Sequence, residues 1–291
     1  DVAWAFYAQN GDVWQETVYP ANGFTFDGIA KTAHLKDLPV GVKATYTSNG
    51  VVFTSATNAG SYTVDVSLEF ADESYENNFN TPVLRQNVSA TKTWNILPKT
   101  LTSDMVTLSS TNLTYNGDIQ TITVTVKDGA VVLEKDTDYT VEGTLSATNA
   151  DTYKVTITPK GNYTGDAIVK TWIIDKKALA DGMLTLTGAE DLTYNGAERT
   201  VGYIAEDGTA LKESDYTQTG TLSATDAGEY FVTIVATQEG NYSGSVTATW
   251  AIAKVSMADA TIILTGADDL IYNGNSQTVG VVVKIGENEI P

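Results

Sequence analysis

Few side chains in this chain can do covalent chemistry. His34 is the only histidine and there is no cysteine. A serine or cysteine nucleophile needs an imidazole with an orienting partner, and a thiolate zinc site needs cysteines, so neither is on offer. The acidic pairs Asp136 and Asp138, Glu190 and Asp191, and Asp268 and Asp269 are the places where calcium would bind. Calcium takes six to eight converging oxygens, and none of these pairs lies in an Asp-rich loop of the required kind, so we expect solvated acidic turns and no cofactor. Two carboxylates can in principle hydrolyse a glycoside, but with 36 acidic residues a pair at suitable separation carries no information. The sequence is therefore expected not to encode an enzyme. One aromatic group stands apart: Tyr7, Trp14 and Tyr19 flank Asn10-Gly11, and Trp14 has no aromatic counterpart later in the chain. These three are the candidate ligand surface, suited to stacking on a sugar or a host protein.

The charge balance narrows the partners. The 291 residues carry a formal net charge of −19, with only two arginines, Arg85 and Arg199. Nucleic acid and anionic membrane both require clustered cations, so neither is an expected partner. No apolar run approaches the ~18 residues that cross a bilayer, so no membrane insertion is expected within this segment.

What positions the aromatic residues is a repeat. Tryptophans recur as Trp4-Ala5-Phe6, Trp94-Asn95-Ile96, Trp172-Ile173-Ile174 and Trp250-Ala251-Ile252, spaced by 90, 78 and 78 residues. An aromatic-Asx-Gly triplet recurs at Phe26, Tyr115, Tyr194 and Tyr272, spaced by 89, 79 and 78. Tyr62, Tyr153 and Tyr230 close a third motif, beginning at Thr57, Thr148 and Thr225. A fourth is Gly-Asn-Tyr-Thr/Ser-Gly at 161–165 and 240–244. Independent markers holding one period indicate copied folding units. The expected boundaries are 1–7 as the last strand of a preceding copy, 8–97 as a divergent repeat with an insertion at 76–87, 98–175 and 176–253 as regular repeats, and 254–291 as the first half of a further one. Trp4, Trp94, Trp172, Trp250, Tyr62, Tyr153, Tyr230, Tyr115, Tyr194 and Tyr272 are expected to mark the repeat cores. The Asn-x-Ser/Thr matches at Asn162 and Asn241 fall in the repeated turn, where a backbone role is the simpler expectation.

Within each copy the pattern is strand. Thr121–Val126 alternates with period two, as do the stretches through Val155 and Val232, and Val, Ile, Thr and Tyr suit a pleated, half-buried surface. Asp128-Gly129 and Asp207-Gly208 are hairpin turns by type. Six or seven short strands in about 78 residues predict an all-β fold, tandem Ig-like β-sandwiches arranged end to end as a rod. A β-grasp repeat would need a helix that no segment supports. The run Asp226-Ala227-Gly228-Glu229-Tyr230 resembles the tyrosine corner of immunoglobulin domains.

The succession Tyr-Asn-Gly, Asp-Tyr-Thr, Asn/Asp-Ala-Gly-x-Tyr, Gly-Asn-Tyr-Thr/Ser-Gly and Trp-x-Ile resembles the tandem Ig-like (MBG/YDG-type) repeats of bacterial secreted and cell-surface adhesin-like proteins. That resemblance implies an extracellular, cell-surface location and a repetitive scaffold, and it transfers no catalytic residue. The junctions Leu97-Pro98, Asp175-Lys176 and Ala253-Lys254 have no Gly/Ser-rich spacer, which restricts bending. The expected function is a stalk or spacer that projects a functional tip or builds a surface fibre. The alternatives are a glycan- or protein-binding module in the first repeat, or a filament subunit whose half-copy 254–291 is completed by strands of a neighbour. Partners are accordingly further repeats of the same chain, neighbouring subunits, or a glycan or host surface protein.

Overall fold

The computed structural model describes residues 2–71, 88–208, 210–268 and 270–290. The insertion expected at 76–87 lies outside them. Strands dominate, and the helical elements among the described residues are single 3₁₀ turns at Ser103–Met105, Glu213–Asp215 and Met257–Asp259. The chain divides into two compact units, Asp1–Ser109 with Thr123–Thr144 and Lys154–Lys170, and Ser110–Ile122 with Leu145–Tyr153 and Thr171–Pro291.

In the first unit, the first repeat is a sandwich. One sheet is Val13–Thr17, Ala3–Asn10 and Lys31–Lys36 in that order; the other runs Phe24–Thr25, Val88–Leu97, Gly60–Phe70, Val42–Ser48 and Val51–Val52. Alternation sends Phe6 and Ala33 from the first sheet, and Val64, Trp94 and Ile96 from the second, into one buried cluster. Burying an indole removes roughly 150–250 Å² from water, roughly 4–6 kcal/mol at ~25 cal/mol/Å², so Trp94 is the largest single contributor.

Residues 1–7 depart from expectation. Ala3–Asn10 pairs antiparallel with Lys31–Lys36, from Ala3 opposite Lys36 to Ala8 opposite Lys31, inside the first repeat. It therefore opens this repeat and does not close an earlier one. Trp4 echoes the tryptophan motif in sequence but is only half-buried, edge-on to Tyr46 at 6.3 Å. The true equivalents sit on the last strand of their repeats, across from the recurrent tyrosine: Tyr62 opposite Trp94 and Tyr230 opposite Trp250.

The first unit also holds Val106–Leu108 paired with Val124–Asp128, which turns at Asp128-Gly129 into Val131–Val132, as the hairpin signal predicts. In the second unit the third repeat packs Leu186 and Tyr203 against Val201, Val232, Trp250 and Ile252, again from facing sheets. Residues beyond 254 form one sheet of Ala260–Thr265, Gly280–Ile285 and Asn288–Ile290. Ile262, Leu264 and Val281 on it are exposed, and Tyr272 is 92% exposed.

Candidate functional site

The motifs that set the repeat period meet at the joints between repeats. Each last strand hands the chain on in the same way. Phe24–Thr25 runs parallel to Ile96–Leu97, and Asn112–Thr114 runs parallel to Ile173–Asp175. The aromatic residue that follows donates its backbone N–H to the end of that last strand: Phe26 to Leu97 at 2.8 Å, Tyr115 to Asp175 at 2.9 Å and Tyr194 to Ala253 at 3.0 Å. The Asx residue behind it closes a turn through Oδ1, accepting from Ile29, Asp118, Ala197 and Asn275 in the four copies. The glycine completes the turn at positive φ, from +75° to +86°.

The aromatic rings then meet the next repeat. Phe26 lies edge-to-face on Tyr163 with centroids 5.6 Å apart, and Tyr115 on Tyr242 at 5.5 Å. Tyr163 and Tyr242 are the tyrosines of the two Gly-Asn-Tyr turns. The asparagines beside them clasp the preceding repeat. Asn162 Oδ1 accepts from the Ala59 N–H at 2.8 Å, and its Nδ2 donates to Asn58 Oδ1 at 3.1 Å. Asn241 repeats both bonds, with the Ala150 N–H at 2.7 Å and Asn149 Oδ1 at 3.2 Å.

The receiving turn is held rigid from behind. Tyr62 Oη donates to the Asn58 carbonyl at 2.6 Å, Tyr153 Oη to Asn149 and Tyr230 Oη to Asp226, both at 2.7 Å. These are the tyrosine corners. Each tyrosine also packs on its repeat's tryptophan, with centroids 5.0 Å apart at Tyr62–Trp94 and 4.8 Å at Tyr153–Trp172 and Tyr230–Trp250. One residue thus couples the interior of a repeat to the turn that receives its successor. Burial raises the phenol pKa of Tyr62 and Tyr153, as expected for rings that must stay neutral.

The Gly-Asn-Tyr turn is anchored on its own side by the linker and a carboxylate. Lys99–Thr100 runs parallel to Tyr163–Thr164, and Lys177–Ala178 to Tyr242–Ser243, so the linker is itself a strand of the next repeat. Lys99 Nζ meets both Asp128 oxygens at 2.6 Å, and Tyr163 Oη donates to the same carboxylate at 3.1 Å. Lys177 and Tyr242 both meet Asp207 Oδ2 at 2.7 Å. Burial, and then the Asp128 charge beside it, raises the Tyr163 phenol pKa far above its ordinary value. The first turn residue, Gly161, has φ +65° and its missing Cβ would stand 2.6 Å from the Thr137 carbonyl oxygen, so only glycine fits.

The expected ligand surface does not assemble. Tyr19 is half-buried against the core, stacked on Phe6 at 4.4 Å, and its Oη accepts from the Asn95 N–H. Tyr7 and Trp14 do share the outward face of their hairpin, since Tyr7 pairs with Glu16 and Gln9 with Trp14. Trp14 is 39% exposed. His34 stacks on Tyr46 at 4.3 Å and burial lowers its pKa. For calcium, Asp138 is already engaged with the Glu134 N–H, and among the described residues no three acidic or histidine side chains converge. Asp269 lies outside the described residues.

This architecture is that of tandem Ig-like β-sandwich repeats. Residues 23–80 and 105–178 match the family model of the MBG domain, consistent with tandem MBG-type repeats. No curated protein matches it. Two solved structures are similar at low identity. One is the SGBP-B protein of the Bacteroides ovatus mixed-linkage glucan utilization locus, in complex with a mixed-linkage heptasaccharide, at 8% identity over 85% of this chain and 70% of that one, TM-score 0.18. The other is a three-Ig segment of titin, domains I67–I69, at 7% identity over 78% and 92%, TM-score 0.20.

Proposed function

We propose that the chain is a non-catalytic stalk segment of an extracellular, bacterial cell-surface protein of the adhesin-like kind. The observation that carries this is the recurrent joint. The same aromatic contact and the same two asparagine bonds connect repeat 1 to repeat 2 and repeat 2 to repeat 3. A chain whose repeated motifs are spent on fixing one unit to the next is suited to holding distance. Its acidity keeps such a body soluble and discourages lateral association.

Small-angle scattering tests this. At ~3.3 Å per residue, strands of eight to eleven residues give ~26–36 Å per repeat, so a maximum dimension on the order of 100 Å is expected. A radius of gyration near the ~19 Å of a compact chain of this length would overturn the proposal. A second reading rests on the outward pair Tyr7 and Trp14: the first repeat binds a glycan or host protein. Glycan-array binding abolished by Trp14→Ala would support it, and unchanged or absent binding would remove it.

A further inference from the structure

The third repeat carries the same receiving surface as the first two, and neither described Gly-Asn-Tyr turn sits on it. Tyr194 corresponds to Phe26 and Tyr115, and Asp226-Ala227 to Asn58-Ala59 and Asn149-Ala150. The Tyr230 corner bond to the Asp226 carbonyl is in place, so the receiving turn is already shaped. Tyr194, Asp226, Ala227, Lys254 and Val255 line a cleft of about 260 Å³. Among the described residues neither the Ala227 N–H nor the Asp226 carboxylate has a hydrogen-bond partner, whereas Ala59 and Ala150 each donate to an asparagine Oδ1. Residues 254–290 do not supply the missing piece, because they contain no Gly-Asn-Tyr turn.

We infer that the Tyr194–Asp226–Ala227 cleft is a docking socket for the Gly-Asn-Tyr turn of a further MBG-type repeat. The asparagine Oδ1 accepts from the Ala227 N–H and its Nδ2 donates to Asp226, while the tyrosine ring lies against Tyr194. Asp226 stands where the other repeats have asparagine. A carboxylate accepts the amide donor more strongly than a second amide does, so the third socket binds its asparagine at least as well as the first two. A second copy of this chain does not fit the role, since both described Gly-Asn-Tyr turns, at Asn162 and Asn241, are already engaged. The inference rests on reading the chain as a repeat segment, but its test is separate from the scattering dimension, which an empty socket leaves unchanged.

The test uses the full chain extended by a second copy of residues 214–253, which continues the 254–291 frame at the period of 78. Amide hydrogen exchange is read at Ala227, with Ala59 and Ala150 as internal references. We expect Ala227 to slow by about tenfold relative to the unextended chain, the worth of one buried hydrogen bond, and to return to its original rate when the added turn's asparagine is replaced by alanine. Unchanged exchange with the added tryptophan buried would overturn the inference. Should the added repeat not fold, a cyclic Gly-Asn-Tyr-Ser-Gly peptide titrated into the unextended chain must shift the Ala227 amide resonance, and its asparagine-to-alanine form must not. No shift overturns the inference as well. Concentration-dependent dimerisation of the unextended chain, lost in Asp226→Ala, would assign the cleft to a second copy and also overturn it.

Discussion

Asp207→Ala should be among the most destabilising single substitutions in the third repeat. The carboxylate is 1% exposed and gathers four donors: Lys177 Nζ at 2.7 Å, Tyr242 Oη at 2.7 Å, and the N–H groups of Ala210 and Leu211 at 3.0 and 3.1 Å. Removing one partner of a buried pair costs ~3–5 kcal/mol, because the other charge stays behind without compensation. Lys177 is 24% exposed and regains some hydration, so the lower end, about 3 kcal/mol, is expected. Asp207→Asn keeps an acceptor and should cost ~1–2 kcal/mol. The fourth copy supplies a control, for Val255 and Ile285 stand there in place of the Lys–Asp pair. Lys177→Val with Asp207→Ile should therefore recover at least ~1 kcal/mol relative to Asp207→Ala, since an apolar pair leaves no stranded charge. Several repeats in one chain need not unfold in one step, so the assay is native-state hydrogen exchange in the Gly228–Ala236 strand rather than a global melt. A loss of 3 kcal/mol appears there as roughly 100-fold faster exchange. If Asp207→Ala stays within ~0.5 kcal/mol of the parent, or the double variant is simply additive, the buried-carboxylate argument is wrong.

Other substitutions probe the cores and the joints. Trp250 Nε1 donates to the Thr221 carbonyl at 2.8 Å, whereas Trp94 Nε1 is buried without a partner, so Trp250→Phe should cost about 1–2 kcal/mol more than Trp94→Phe by denaturant titration of each repeat's exchange. Gly220 has φ +90° and a Cβ there would collide with the Phe231 carbonyl oxygen; Gly220→Ala should lower the stability of the third repeat by ~1–3 kcal/mol, measured in the same way. The Tyr163 phenol pKa is raised in the folded state above its ordinary value of 10.0, so its contribution is complete below pH 10 and is lost as pH rises beyond it. The melting temperature should therefore fall between pH 9.5 and ~11, less steeply in Tyr163→Phe. Asn162→Ala and Asn241→Ala should leave each repeat's core exchange unchanged while Ala59 and Ala150 exchange about tenfold faster.

The period, the strands and the tyrosine corners are all legible in the residues, because alternation and turn chemistry are local. The role of the markers is not. Recurrence in register signals a recurring contact, and a core and a joint recur equally well. Trp94, Trp172 and Trp250 do fill interiors, but Phe26, Tyr115, Tyr163 and Tyr242 face across a boundary. The two Gly-Asn-Tyr asparagines carried the available clue, since a turn needs one Asx side chain for its own backbone and these reach another repeat instead. Trp4 misleads for a different reason. Its spacing of 90 from Trp94 departs from 78, and the strand it sits on pairs with Lys31–Lys36 because Phe6 and Ala33 have one core to share. Tyr19 gave no local sign that its ring would turn inward.

The parallel pairing where the chain enters the second and third repeats governs what happens under load. Tension applied through the two ends of a repeat draws Lys99–Thr100 and Tyr163–Thr164 in opposite directions along their common axis, and the same holds for Lys177–Ala178 against Tyr242–Ser243. Bonds crossing such a pair are sheared together instead of being peeled one after another. Rupture therefore demands that several break at once, and a unit built this way yields late and abruptly when pulled.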